Sequence, residues 1–285
     1  MASPHTPQIG IFDSGIGGLS VLRAVQRRLP GATLRYIADS RHTPWGDRPA
    51  AWVTARCLQL AGWLIDDGAS LVLVACNTGT TQAITALRAR WPDHLFVGVE
   101  PGIKPAVAAS RNHRVAVLAT TGTLRSARVQ QLVRTHAGTT QVLQLPCPGL
   151  AETIEADGDD PAPLAARLDQ IASALQRLQA DTVVLGCTHY PLVADALQQR
   201  LGPGTTLVDT ADAVARRVAS LLGDPPNAGA GSPGALRLFS TADPAALQHA
   251  AQRWLGCDAP AQGLDLPDPA SAAGLPPTPP ARRGR

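Results

Sequence analysis

An α/β fold of two similar units, each with a parallel sheet flanked by helices and with a site in the cleft between them, is what this sequence predicts. Three observations lead there. Short apolar runs alternate with longer stretches of helical spacing along most of the chain. Leu71–Val74, LVLV, is apolar at every position, as in a strand buried on both faces of a parallel sheet. That run ends in ACNTGTT, and Thr182–Leu185, TVVL, repeats the design before GCTHYP. Ligands bind at the carboxyl ends of strands in open parallel sheets. Cys76 and Cys187 are therefore expected at two strand tips, with Asn77, Thr78 and Thr188 beside them.

The elements follow in order. Residues 9–12 read as a strand that ends in Asp13-Ser14-Gly15-Ile16-Gly17-Gly18, with a helix over 19–29. These glycines predict a tight strand-to-helix turn whose N–H groups face an anion. The spacing is neither GxGxxG nor GxxxxGK, so it is not a nucleotide fingerprint. Asp13 reads either as a helix cap or as a site residue at the first strand tip. A strand over 34–38 leads to Asp39 and the turn His42-Thr43-Pro44-Trp45-Gly46, a rigid loop presenting backbone amides. Residues 50–67 have helical spacing, with Trp52, Leu60 and Leu64 inward and Cys57 in the core. After Cys76 a helix is expected over 81–90 and a strand over 94–99.

A second unit starts near Glu100. A strand over 114–118 runs into Ala119-Thr120-Thr121-Gly122-Thr123, echoing the turn at Asp13 with hydroxyls in place of the carboxylate. Asp13 precedes Thr120, and Cys76 precedes Cys187, by similar offsets, which suggests two related units. A helix over 126–137 and a strand over 142–145 lead to Cys147, which between two prolines could be exposed but has no partner in the sequence. The acidic stretch 151–160 reads as a solvated loop, with Glu155 kept as a site candidate. A helix over 163–180, the second cysteine strand, and helices over 191–201 and 211–222 around a strand over 206–209 complete this part. Residues 223–234 read as a Pro/Gly linker, followed by a strand over 236–239 and a helix from Asp243-Pro244 to Leu255. The Pro-, Ala- and Arg-rich end, 258–285, reads as disordered.

Composition excludes several classes. The 285 residues are 45% hydrophobic, with a net charge of +3 from 25 basic and 22 acidic residues. That weak basicity does not call for a nucleic-acid partner. Arg27, Arg28, Arg216 and Arg217 read as solvated helix faces, since no aromatic residues interleave with them. Five scattered cysteines without a CxxC support neither a disulfide scaffold nor a structural zinc site. Cys187 with His189 is only half a metal site. No secretory leader and no run of eighteen apolar residues is read, so a cytoplasmic protein without a membrane span is expected. Lys104 is the only lysine, so a pyridoxal Schiff base would have to use it, and no cofactor is expected.

Two thiols facing each other across a cleft could act as a pair. One thiolate would take a proton from one face of a substrate carbon, and the opposite thiol would supply one to the other face. Asp13 beside Cys76, and His189 with Glu155 beside Cys187, would tune and relay those protons. Ser14, Asn77, Thr78, Thr120 and Thr188 would hold an amino acid. On spacing alone the simpler reading is ahead, that both thiols are small buried hydrophobes.

The stretches IGIFDSGIGGLSVL, DSRHTPWGDR, ACNTGTT, GVEPGIKPA and LGCTHYPL, spread over residues 9–255, resemble the glutamate racemases of the cofactor-independent aspartate/glutamate racemase superfamily. The resemblance implies two α/β domains, 8–98 with 211–257 and 99–210, and an active site between them. It implies interconversion of L- and D-glutamate, the D-isomer serving peptidoglycan, with glutamate as the small-molecule partner and a homodimer as the assembly. By residue-wise match Cys76 and Cys187 would be the acid/base pair, with Asp13, His189 and Glu155 as helpers. Asp13, Ser14, Pro44, Trp45, Gly46, Asn77, Thr78, Thr120, Thr188 and His189 would bind substrate. Two departures stand out: Trp45 replaces the usual Tyr, and CNTG replaces CNTA. An indole filling the pocket would shift substrate preference. The competing readings are a racemase of aspartate or another amino acid, a binding or regulatory protein on this scaffold, and a thiol hydrolase. The last needs Cys187 and His189 on one side of a strand that continues through both.

Overall fold

The computed structural model describes residues 7–156, 160–223 and 234–269. Ten strands and eleven α-helices are found among them. The first sheet holds β1 (Gln8–Asp13), β2 (Thr33–Ala38), β3 (Leu71–Val74) and β4 (Leu95–Gly98), interleaved with α1 (Leu19–Arg28), α2 (Ala50–Asp66) and α3 (Asn77–Arg90). The chain then passes through α4 (Ile103–Ala109), β5 (Arg114–Ala119), α5 (Thr121–Arg125), α6 (Ala127–His136), β6 (Gln141–Pro146), α7 (Leu150–Glu155), α8 (Ala162–Leu178), β7 (Thr182–Leu185), α9 (Ala194–Leu201) and β8 (Thr206–Val208), which build a second sheet. It returns through α10 (Ala211–Leu221), β9 (Leu236–Ser240), α11 (Pro244–Leu255) and β10 (Ala261–Gly263), and the last two strands join the first sheet.

Both sheets are parallel throughout, in the orders β10-β9-β2-β1-β3-β4 and β6-β5-β7-β8. The expected α/β architecture of two helix-flanked parallel sheets is thus present. Alternation along each strand feeds a core on either face: Leu71 and Leu73 join one apolar cluster, Val72 and Val74 the other. In the second sheet Val183 and Leu185 face one cluster and Val184 faces the opposite one. Burial of four full side chains per strand contributes roughly 6–12 kcal/mol before entropy is charged against it.

The strand orders matter for function. In the first sheet β1 is flanked by β2 and β3, and in the second β5 is flanked by β6 and β7. The order in which successive strands are added reverses at β1 and at β5, which opens a crevice at the carboxyl ends of the strands. Asp13 ends β1 and Cys76 follows β3 by two residues; Thr120 follows β5 and Cys187 follows β7 by two residues.

Several local expectations change. The helix after Cys76 begins at Asn77, not residue 81, because the Cys76 sulfur caps it by accepting the Gly79 N–H at 3.3 Å. Asn, Thr and Gly are poor helix formers, which hides that first turn from a propensity reading. The stretch 150–155 is helix rather than acidic loop: Leu150, Ala151 and Ile154 fall on one buried face. Residues 157–159 of that stretch lie outside the described residues, as does most of the 223–234 linker. Cys147 is not exposed; it is buried beneath the second sheet's core, and burial pushes its thiol up to about 12. The end of the chain is ordered from Asp258 to residue 269, where disorder was expected. β10 pairs with β9, and Leu264 and Leu266 pack on the first unit's core. The remainder of that tail lies outside the described residues. No helix among the described residues is long and apolar enough to cross a membrane.

Candidate active site

The glycine turn after β1 brings the two units together. Its N–H groups do face anions, but these are the protein's own carboxylates. Ser14 N–H donates to Asp13 Oδ1 at 2.7 Å and Gly18 N–H to Asp13 Oδ2 at 2.5 Å, whereas Ile16 N–H donates to Glu155 Oε1 of the second unit at 3.1 Å. A Cβ on Gly15 would collide with the Glu155 carboxylate. One on Gly17 would fall 2.4 Å from His189 Nδ1 and 2.7 Å from the His189 backbone nitrogen. Glycine is required here for close approach of the opposite unit. Gly17→Ala is accordingly expected to displace His189 and lower turnover by about 10²-fold, the cost of misplacing a reacting group by roughly 1 Å. Kinetics on a variant with an unchanged circular dichroism spectrum check this, and near-native turnover would refute it.

Behind that turn the two thiols have unlike surroundings. Cys76 is at the N-terminus of α3, 3.7 Å from the Ser14 hydroxyl. Burial and then the neighbouring Asp13 charge hold its thiol well above the ordinary range, against the pull of the Gly79 N–H and Ser14 bonds. Asp13 is wholly buried, and Thr188 Oγ1 of the second unit donates to its Oδ2 at 3.2 Å. Burial raises the Asp13 carboxyl too, only partly offset by the His189 charge and the Ser14 and Gly18 amides.

Cys187 Sγ lies 3.7 Å from His189 Nδ1, and His189 Nε2 lies 2.7 Å from Glu155 Oε1. Burial pushes the imidazole down. Its bonds to Cys187 and Glu155 and their charges outweigh that and hold it well above the usual histidine range. That shift favours the protonated ring, in which one N–H would face each partner. β7 stops at Leu185, so this Cys–His pair does not come from strand alternation. It forms because the chain turns through Gly186 into a short 3-10 turn, Tyr190–Val193, with His189 at its start.

Cys76 and Cys187 both line one cavity of about 20 Å³, room for about one water. Ser14, Pro44, Trp45, Gly46, Asn77, Thr78, Thr120, Thr188 and His189 line it as well. Asp13 and Glu155 do not; they stand behind Cys76 and His189 as partners. Trp45 does not fill the space with its indole. The ring is 1% exposed, packs at 6.4 Å from Phe12, and spends its N–H on Asp39 at 3.2 Å.

Three lining residues escaped the sequence reading: Thr43, Thr123 and Ala151. Thr123 is the most informative. Thr78 Oγ1 is 3.1 Å from both Thr120 Oγ1 and Thr123 Oγ1, and those two are 3.1 Å apart. A ring of three hydroxyls thus spans the two units. Its signal was present in TTGT, where Thr120 caps α5 by accepting the Thr123 N–H and so fixes both hydroxyls on one side. Among the described residues no Arg or Lys lines the cavity, and no cluster of His, Cys, Asp and Glu is arranged to hold a metal ion.

The chain is similar to known proteins in sequence and in fold. Residues 18–218 match the Asp/Glu/Hydantoin racemase model. A glutamate racemase of Pseudomonas paraeruginosa is 42% identical over 249 residues, 87% of this chain and 94% of that relative. One of Ralstonia nicotianae is 43% identical over 264 residues, 92% and 94% of the two chains. Among solved structures, a glutamate racemase isoform of Bacillus anthracis superposes with a TM-score of 0.83 at 28% identity, covering 93% of this chain and 99% of its own. The Escherichia coli glutamate racemase, solved with L-glutamate and an activator, gives 0.78 at 34% identity, covering 91% and 98%. With a family model spanning most of its length and relatives this similar over nearly their whole chains, the protein belongs to the Asp/Glu/Hydantoin racemase family.

Proposed function

We propose that the protein is an amino-acid isomerase that interconverts L- and D-glutamate by proton transfer at Cα, with Cys76 and Cys187 as the two acid/base groups. The observation that carries the reading is the presence of one cysteine from each unit on the same small cavity. A proton leaves Cα to one sulfur, the electron pair stays on the carbon, and the opposite sulfur returns a proton to the other face. No net atom or electron is consumed, so the reaction needs no co-reactant. Asp13, wholly buried beside Cys76, relays protons on that side; His189, bridged to Glu155, does so beside Cys187.

Substrate carboxylates would be held by neutral donors, the Ser14, Thr78, Thr120, Thr123 and Thr188 hydroxyls and the Asn77 amide. The cavity is narrow, and separation of the two units would widen it to admit an amino acid. The hydroxyl ring of Thr78, Thr120 and Thr123 then opens, and glutamate oxygens replace its bonds. D-glutamate for peptidoglycan is the product's use in this reading, and a cytoplasmic homodimer is its setting, to be checked by light scattering.

The test is Cα-proton exchange in D₂O, followed by NMR with each glutamate enantiomer and purified protein, without added cofactor. Exchange with loss of optical rotation is expected. Exchange with aspartate but not glutamate would assign the sister activity, and no exchange with either would overturn the catalytic reading.

A further inference from the structure

The loop that carries Pro44, Trp45 and Gly46 has no regular structure, yet it forms one wall of the cavity. A Cβ on Gly46 would come within 2.8 Å of Thr120 Cβ across the cleft, so the loop's placement sets how closely the two units meet. What holds it lies outside the cavity. Asp39 at the loop's start and Arg56 on α2 are both 0% exposed. The guanidinium grips the carboxylate with two bonds, Nη2 to Oδ1 at 2.6 Å and Nε to Oδ2 at 3.0 Å. The remaining carboxylate valences are filled by Thr241 Oγ1 at 2.9 Å, by the Trp45 indole N–H at 3.2 Å, and by His42 Nδ1 at 3.2 Å.

A buried ion pair of this kind is weak as a source of stability, because an apolar pair of similar volume does as well or better. Its particular property is direction. A planar fork fixes the carboxylate plane, and the carboxylate in turn fixes the indole next to Gly46.

The end of the chain closes the arrangement. Beyond β10, Leu264 and Leu266 pack on the first unit's core, and the Pro267 carbonyl accepts from Arg56 Nη1 at 3.0 Å. Asp268 accepts from the Trp52 indole at 3.1 Å, and Asp265 pairs with Arg41 at 3.0 Å. Residues 264–268 thus lie over the ion pair, and Pro267 shares with Gln59 Oε1, at 3.1 Å, the Arg56 Nη1 that Asp39 does not reach.

We propose that Asp39 and Arg56 are positioning residues for the substrate-binding loop 43–46, and that residues 264–268 are the strap that keeps this pair dry and aligned. Neither residue touches the cavity; both act through Trp45. The inference rests on the racemase reading of the site.

Three full-length variants test it by steady-state kinetics with both glutamate enantiomers. Arg56→Lys keeps the charge and loses the fork; Trp45→Phe keeps an aromatic wall and loses the N–H; Leu266→Ala with Asp268→Ala loosens the strap. Arg56→Lys and Trp45→Phe should each raise KM about 3–10-fold, the net worth of one typical hydrogen bond, with kcat nearly unchanged. Because both act through one contact, the double variant should show no more than the larger single effect. The strap variant should raise KM in the same direction. Unchanged KM in folded variants, a fall in kcat at constant KM, or multiplying effects in the double variant would each overturn the proposal. If Arg56→Lys does not fold, Trp45→Phe and the strap variant decide it. A wild-type protein that leaves both enantiomers unchanged would instead refute the racemase reading.

Discussion

Cys76→Ser and Cys187→Ser are each expected to lower racemisation by about 10²–10⁴-fold, the contribution of a positioned proton-transfer group, and to do so while leaving opposite halves of the reaction alive. The sulfurs approach the cavity from different units, one from the tip of β3 and one from the tip of β7. Each can therefore reach only one face of a bound Cα. With Cys76 replaced, Cys187 can still remove a proton from the enantiomer whose Cα–H points at it and return a solvent proton to the same face. That enantiomer should exchange its Cα proton with D₂O without inverting, and the other should not exchange. The Cys187 variant should show the reverse preference. NMR of both enantiomers with both variants reads this directly. Equal exchange of the two enantiomers by one variant would mean a single base serves both faces, and the two-thiol mechanism would be wrong.

Both cysteine positions were legible in the sequence because LVLVAC and VVLGC combine a doubly buried strand with an abrupt change to polar residues. The pairing of strand tips followed from the general rule for parallel sheets. What the linear pattern did not carry was the partner set. Glu155 reaches His189 only because Gly149, at φ +78°, turns the chain into the short helix α7, and six residues of helix are too few to show a period. The glycine turn was read as an anion cradle; its anions turned out to be Asp13 and Glu155, a fact that depends on contact between units 139 residues apart at Ile16 and Glu155. Thr123 was overlooked because a hydroxyl at a helix start is ordinarily local capping, and its link to Thr78 crosses the cleft. The ordered strap after β10 was hidden by composition. The richness of 258–285 in Pro, Ala and Arg suggests disorder, but Leu264 and Leu266 supply enough apolar surface for an edge strand to dock.

The second large effect concerns the Cys187 side. Glu155→Gln keeps the shape of the side chain and removes the charge that, with Cys187, overcomes burial and keeps His189 protonated. Those contacts raise His189 above the usual histidine range, so the alkaline limb of the kcat/KM profile should lie on the alkaline side of that range. In the variant burial acts with less opposition. His189 should then lose its proton at lower pH, the alkaline limb should move toward neutrality, and kcat/KM near pH 8 should fall by about 10²-fold. Stability should follow the same linkage. A histidine whose folded value exceeds its unfolded value of 6.5 stabilises the fold fully below that pH, and this contribution is lost as pH rises through the folded value. The stability difference between wild type and variant should therefore be greatest on the acid side of about pH 6.5, where Glu155 faces a cation, and should shrink as His189 titrates. Urea unfolding from about pH 6 upward, together with the two pH–rate profiles, measures both. An alkaline limb that stays in place in the variant would show that His189 does not owe its charge to Glu155, and the relay on the Cys187 side would then have to run through the histidine alone.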